Sequence, residues 1–188
     1  SITTGKAPSA IASGDKRVLD SLKLERVGTT LRVRLQNIIN NNLGVPITAP
    51  LRITLTTQDI KDVTLSGNGK LSISEVKQPN LVRMLLAGNG AIAVGKLTTD
   101  QYSAAINGNG KIDLGGGSVH DAKVTIEGAG VYESEKVRTR KLRLEHVGNA
   151  ISTATVEEGT DIYNRGSGNI TIDGKGTCFI KQIGRASC

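Results

Sequence analysis

Residues 63–73 read VTLSGNGKLSI, with Gly67 and Gly69 paired around Asn68. A paired glycine after a strand can cradle a phosphate, so the first question is whether this is a nucleotide loop. The chain answers by repetition. MLLAGNGAIAV follows at 84–94, AAINGNGKIDL at 104–114 and VTIEGAGVYES at 124–134. LRLEHVGNAIS at 142–152 is a degraded copy, and IYNRGSGNITI closes the series at 162–172. Aligned this way, the first glycine position falls at 67, 88, 108, 128, 146 and 166, with His146 as the exception, in steps of 21, 20, 20, 18 and 20. A motif used repeatedly at a constant period is scaffold, and periods of this size mark solenoids.

Each copy places alternating apolar residues on both sides of the glycines. Val63 and Leu65, Met84 and Leu86, Ala104 and Ile106, Val124 and Ile126, and Leu142 and Leu144 precede them. Leu71 and Ile73, Ile92 and Val94, Ile112 and Leu114, and Ile170 and Ile172 follow. Val76, Leu97 and Val137 add a further apolar place nine residues after the first glycine. Period-two alternation is the pattern of half-buried strands. The glycines Gly67, Gly69, Gly88, Gly90, Gly108, Gly110, Gly128, Gly130, Gly166 and Gly168 are therefore structural corners. Glycine reaches positive φ without a Cβ penalty. Asn68, Asn89 and Asn109 between them suit a left-handed backbone.

So short a repeat cannot bury its apolar residues alone, but stacked parallel coils align them in columns. The fold expected is all-β, a right-handed parallel β-helix with coils of about 20 residues. With strands about 4.8 Å apart, six coils make a rod of roughly 25–30 Å. An antiparallel sandwich also alternates, but its hairpins rarely keep one corner motif at such a period. On this reading Leu65, Leu86, Ile106, Ile126 and Leu144 form one buried column.

The remaining sequence sets the boundaries. Residues 1–17 are rich in Ser, Thr, Ala, Gly and Lys and are expected to form a flexible leader. Residues 18–176 form the β-helix domain, with regular repeats over 62–176, and 177–188 a C-terminal cap or tail. Leu22, Leu24, Leu31, Val33 and Leu35 alternate as in half-buried strands. NIINNNLG is an Asn-rich corner, after which Ile47, Leu51, Ile53 and Leu55 resume the alternation. No run of 18 apolar residues is present, so no transmembrane helix is expected. The first residue is Ser1, consistent with a leader already removed.

The strings LSGNGKLSI and LAGNGAIAV, the lead-in PITAPLRITLTTQDIKDVTLSGNG and the closing RGSGNITI resemble the bacterial auto-transporter adhesin head, GIN domain family, over roughly residues 18–176. That resemblance implies a β-helix-like fold and a secreted or envelope protein. It carries no catalytic residues. The chain departs from the pattern at His146 and in its Cys-containing tail.

The scaffold limits the chemistry open to the chain. Nucleotide binding needs a helix after the glycines, and no helical pattern follows any of them. A calcium β-roll has a nine-residue repeat with recurrent Asp, which is absent. Asp113 with Glu133, and Glu127 with Glu145, are expected to stack as outward carboxylate pairs. A glycosidase needs two carboxylates flanking one bond, and these pairs face different ways. His120 and His146 are too few for zinc. No catalytic, cofactor or metal residue is assigned.

The chain is basic, with 24 Lys and Arg against 17 Asp and Glu, a difference of 24 − 17 = 7. The densest run comprises Lys136, Arg138, Arg140, Lys141 and Arg143. It is the candidate contact for an anionic polysaccharide or the envelope surface, with edge protection by charge as the plainer reading. The scarcity of aromatics argues against specific nucleic-acid binding. Cys178 and Cys188 would close the C-terminal end as a disulfide in an oxidising compartment, or stand as two free thiols.

The expected function is that of a non-enzymatic, adhesin-like envelope or surface protein presenting a rigid face. It would be periplasmic, outer-membrane-associated or secreted. The alternatives are a carbohydrate-active β-helix enzyme and a self-assembling module that forms homo-oligomers through its open ends.

Overall fold

The computed structural model describes residues 1–35, 49–182 and 185–187. The chain begins with β1 (Ile2–Thr4), β2 (Ser9–Ser13), the single helical turn α1 (Lys16–Leu19) and a hairpin of β3 (Leu22–Val27) and β4 (Thr30–Leu35). Then come β5 (Arg52–Thr57), β6 (Asp62–Ser66), β7 (Lys70–Gly88), β8 (Ala91–Gly108), β9 (Lys111–Leu114) and β10 (Gly117–Gly128). β11 (Val131–Gly148), β12 (Ile151–Arg165), β13 (Asn169–Gly174), β14 (Thr177–Gln182) and β15 (Arg185–Ser187) complete it.

The long strands are not straight. In β8, Ile92 and Val94 are buried, then Gly95 and Lys96 both face out. Leu97 and Thr99 are buried, Asp100 and Gln101 both face out, and Tyr102, Ala104 and Ile106 are buried again. A strand alternates strictly, so two consecutive outward residues mark a bend. Each coil thus has three sides. In this coil, residues 102–107 form the first side and 111–114 the second, joined by the Gly-x-Gly corner; 117–119 form the third. β6, β7, β8, β10, β11 and β12 pair in parallel along the first side. The result is a parallel β-solenoid of about six turns.

The core is a set of inward columns. Val63, Met84, Ala104, Val124, Leu144 and Ile162 stack in register and are all buried. The neighbouring column runs Leu65, Leu86, Ile106, Ile126, His146 and Asn164. This corrects the expected column: Leu144 lies opposite Val124, and the fifth member is His146. Each fully buried Leu or Ile contributes roughly 1.5–3 kcal/mol.

The corner of the fifth coil moves accordingly. Gly148, at φ 119, pairs with Gly128, and Ala150 takes the second glycine place. Corner glycines therefore fall at 67, 88, 108, 128, 148 and 166, and the short step of 18 residues is the last one. The shortening appears as register shifts between β11 and β12, which leave Glu135–Val137 with no residue opposite.

Two different demands select the glycines. From Gly67 to Gly148 the first corner glycine holds a positive φ, between 94 at Gly67 and 122 at Gly108, whereas Gly166 does not. The second is required by close approach: a Cβ at Gly110 would lie 2.7 Å from the Gly90 carbonyl oxygen. Among the described residues no non-glycine has positive φ, so Asn68, Asn89 and Asn109 are not there for a left-handed backbone. They form an amide ladder instead, Asn89 Nδ2 donating to Asn68 Oδ1 at 3.4 Å and Asn109 Nδ2 to Asn89 Oδ1 at 3.2 Å.

The N-terminal residues depart from the flexible leader expected of 1–17. β1 pairs in parallel with β5 and, through Ile2, with Ile73 of β7, while β2 pairs antiparallel with β5. Asp15 caps α1 by accepting from Arg17 N at 3.0 Å. The strands expected at 22–35 form as a separate two-stranded sheet. The Asn-rich corner and Ile47 lie outside the described residues.

Two substitutions test this architecture. Ile106→Asp puts a charge into a column with no counter-charge, and the domain is expected to lose its cooperative thermal transition. Gly108→Val strains a backbone at φ 122 and drives Cβ to 2.6 Å from the Gly88 carbonyl oxygen. It should cost more than about 1 kcal/mol in urea unfolding.

Candidate functional site: an axial groove beside a basic corner

The basic run wraps the corner between the third and first sides. Lys136, Arg138, Arg140, Lys141 and Arg143 are all exposed, with Val137, Thr139 and Leu142 buried between them. Lys136, Arg138 and Arg140 share the outward phase, as expected from their spacing. Arg140 and Lys141 are the consecutive outward pair at the bend, so Arg143 lies on the next side.

Their partners differ. Arg140 hydrogen-bonds to Glu158 Oε1 at 2.6 Å and also contacts His120, which in turn meets Asp121 Oδ2 at 2.9 Å. Arg143 donates to Glu145 Oε1 at 2.8 Å and sits 4.8 Å from the Tyr163 ring centroid, a cation–π distance. Glu145 holds the Arg143 guanidinium above its ordinary pKa, so that charge is permanent. Lys136, Arg138 and Lys141 have no carboxylate within ion-pair distance among the described residues. These three are the charges available to a ligand.

Beside this corner runs a groove of about 650 Å³. Parallel stacking explains its shape. One wall is the outward column Gln101, Asp121, Lys141, Gly159 and Thr177. The other is Ser103, Lys123, Arg143, Asp161 and Phe179. Between them, the backbone of the inward column Tyr102, Ala122, Leu142 and Thr160 forms the floor. Five coils at about 4.8 Å make it roughly 20 Å long. Phe179, 68% exposed, stands at one end.

Spacing alone singled out the basic run and passed over Lys123 and Phe179. Counting 20 residues from Ser103 reaches Lys123 and Arg143, and the 18-residue step then reaches Asp161 and Phe179. Only the correct placing of the short step finds the last two.

Other expected features resolve differently. Asp113 and Glu133 are neighbours in register, and Lys111 Nζ lies 2.7 Å from Glu133 Oε2, which raises the lysine pKa. Glu127 and Glu145 do not stack: Glu127 faces Val147, and Glu145 faces Thr125. Tyr102 and Tyr132 are core residues whose phenols burial pushes up, Tyr132 to about 12. Among the described residues no three His, Cys, Asp or Glu side chains could hold a metal ion. Cys178 is disulfide-bonded, and Cys188 lies outside the described residues. No helix among the described residues is long and apolar enough to cross a membrane.

Residues 1–176 match the family described as putative auto-transporter adhesin, head GIN domain. The chain belongs to that family. The match takes in the first 17 residues, in agreement with their strands in the GIN-domain sheet. No curated protein matches the chain. Two solved structures share the fold. One, from Parabacteroides distasonis ATCC 8503, is called a putative lipid binding protein; it is 21% identical with a TM-score of 0.73. The other, from Parabacteroides merdae ATCC 43184, is called a putative adhesin; it is 19% identical with a TM-score of 0.69. Both alignments cover 99% of this chain and 85% of the other.

The GIN-domain core also holds a buried histidine. His146 is fully buried, its Nε2 2.8 Å from Ser152 Oγ, while Nδ1 has no partner among the described residues. An imidazolium would need a second acceptor there, and burial lowers the pKa to about 4. The unfolded chain, near 6.5, takes up a proton that the folded chain refuses. Stability is therefore complete above pH 6.5 and falls as pH drops from 6.5 towards 4. At pH 5.5 the loss is about 1.4 kcal/mol. Urea midpoints at pH 7.5 and 5.5 measure it, and His146→Ile, which restores the apolar column, is expected to remove this part of the pH dependence.

Proposed function

We propose that this GIN domain is a non-enzymatic, adhesin-like protein of the bacterial envelope or surface that binds an extended anionic polysaccharide along the axial groove. The groove's shape carries the reading: a straight channel crossing five coils fits a polymer better than a compact metabolite. Lys123, Lys141 and Arg143 line it. Arg138 lies across the adjoining corner, and Phe179 offers an apolar face at one end. Charge-assisted hydrogen bonds from Arg138 and Lys141 to carboxylate or sulfate groups would supply the attraction, with Lys123 and Arg143, both paired with Glu145, shaping the groove wall. The family membership and the name of the Parabacteroides merdae structure agree with a surface role.

A hydrolytic reading draws less support. At the groove, Glu158 is bonded to Arg140 and Asp121 to His120, so these acids act as braces. The disulfide at Cys178 suits an oxidising compartment, whether periplasm, outer membrane surface or exterior. Closure of the C-terminal coil by Cys178 and Cys188 is part of the proposal.

The test uses heparin as a model anionic polymer. Arg138→Ser with Lys141→Ser removes two cations that bind no carboxylate, and should lower retention without changing the fold. Lys16→Ser with Arg17→Ser, at the far end, should matter less. Retention should also weaken steeply with salt, because exposed charges are screened within about 10 Å at 0.1 M. Equal losses for the two pairs would make overall charge, not this groove, the cause.

A further inference from the structure

The hairpin of β3 and β4 is the part of the chain that the solenoid does not explain. Its strands pair with each other and with no other strand among the described residues. The register puts Leu22 opposite Leu35, Leu24 opposite Val33 and Arg26 opposite Leu31 on one face. The other face carries Lys23 opposite Arg34, Glu25 opposite Arg32 and Val27 opposite Thr30. Among the described residues nothing covers the apolar face: Leu24 and Val33 are each 41% exposed, Leu31 44% and Leu35 52%.

Two features of this hairpin are costly in water. An isolated two-stranded ribbon is marginal without a partner for its apolar face. Lys23 and Arg34, like charges directly opposite each other, repel. A suitable partner covers apolar surface and supplies negative charge at once. A second copy of the chain supplies the first but not the second. The hairpin carries Lys23, Arg26, Arg32 and Arg34 against Glu25, so 4 − 1 = +3 would face +3.

We propose that β3 and β4 form a membrane-docking hairpin that lies flat on a bilayer with anionic headgroups. Leu22, Leu24, Leu31, Val33 and Leu35 enter the boundary between headgroups and acyl chains. The long stems of Lys23, Arg32 and Arg34 bring their charges back to the phosphates, as basic amphipathic elements do at interfaces. The bilayer supplies both missing terms: it buries the apolar face and neutralises the Lys23–Arg34 pair. This site is separate from the groove and does not depend on what the groove binds.

The full chain is sedimented with vesicles of phosphatidylcholine alone or mixed with phosphatidylglycerol. The expected result is binding to the mixed vesicles at least about tenfold stronger than to phosphatidylcholine. Leu24→Asn with Val33→Asn, and separately Lys23→Gln with Arg34→Gln, should each weaken it about tenfold or more, with the solenoid's thermal transition unchanged. The chain has no tryptophan, so Leu24→Trp is a single reporter. Its emission should shift to the blue on mixed vesicles and be quenched by lipids brominated in the acyl chains. Unquenched emission, equal binding to both vesicles, or no loss in the Lys23→Gln, Arg34→Gln protein would overturn the proposal. So would a concentration-dependent dimer that Leu24→Asn with Val33→Asn dissolves while no vesicle binding occurs, because the face would then belong to a second copy.

Discussion

The solenoid depends on how closely two coils can approach at the Gly-x-Gly corner. There the carbonyl oxygen of one coil occupies the space a Cβ of the next coil would need. It also accepts from that coil's backbone amide, as Gly88 O does from Asn109 N at 3.1 Å. Glycine at both corner places lets the backbone ladder pass the bend unbroken. Paired, unspaced coils then bring the inward side chains into columns with little empty volume. Loosen the corner and the columns separate. Ala150, fully buried, accepts a Cβ in this series, and there the inward residue two before the corner glycine is His146 instead of leucine or isoleucine.

The same stacking organises the surface. Residues one coil apart lie about 4.8 Å from each other, so outward side chains form rows whose neighbours are set by the period. Opposite charges in successive coils become ion pairs, such as Lys96 with Glu75 at 3.6 Å and Lys123 with Glu145 at 4.0 Å. Exposed pairs of this kind add little stability. Their consequence is spatial: at the groove they commit Lys123, Arg140 and Arg143 to carboxylates and leave Lys136, Arg138 and Lys141 without one among the described residues. The groove itself is the valley between two such rows.

Polarity rises towards the C-terminal coils. Ser134, His146, Ser152, Thr160 and Asn164 occupy inward places that earlier coils fill mostly with apolar residues, whereas the place of Thr139 is already polar at Gln78 and Thr99. Hydrogen bonds across the core, such as His146 to Ser152 and Asn164 Nδ2 to Gly168 O at 3.2 Å, offset part of that burial. The last coils also contain the shortened step and the β11–β12 register shift. The regular middle is where repetition constrains the chain most, and the ends are where individual residues differ.

The repeat of glycine and alternating apolar residues was enough, by itself, to determine the all-β solenoid, the three apolar segments of each coil and the outward phase of Lys136, Arg138 and Arg140. It did not settle the register of the fifth coil. Placing the corner at His146 or at Gly148 differs by two residues, and a shift of two leaves every side chain on its own face. Alternation is blind to that choice; only the pairing of Gly148 with Gly128 decides it. The groove was equally hidden, because its walls are joined by steps of 20 and then 18 residues, so Phe179 meets Asp161 only after the short coil is placed. The hairpin shows the same limit from the other side. Leu22, Leu24, Leu31, Val33 and Leu35 have the pattern of half-buried strands, yet alternation states which residues share a face and not what covers it. That was decided by the tertiary structure, in which the solenoid closes its N-terminal edge with β1, β5 and β2 and no strand of that sheet pairs with the hairpin.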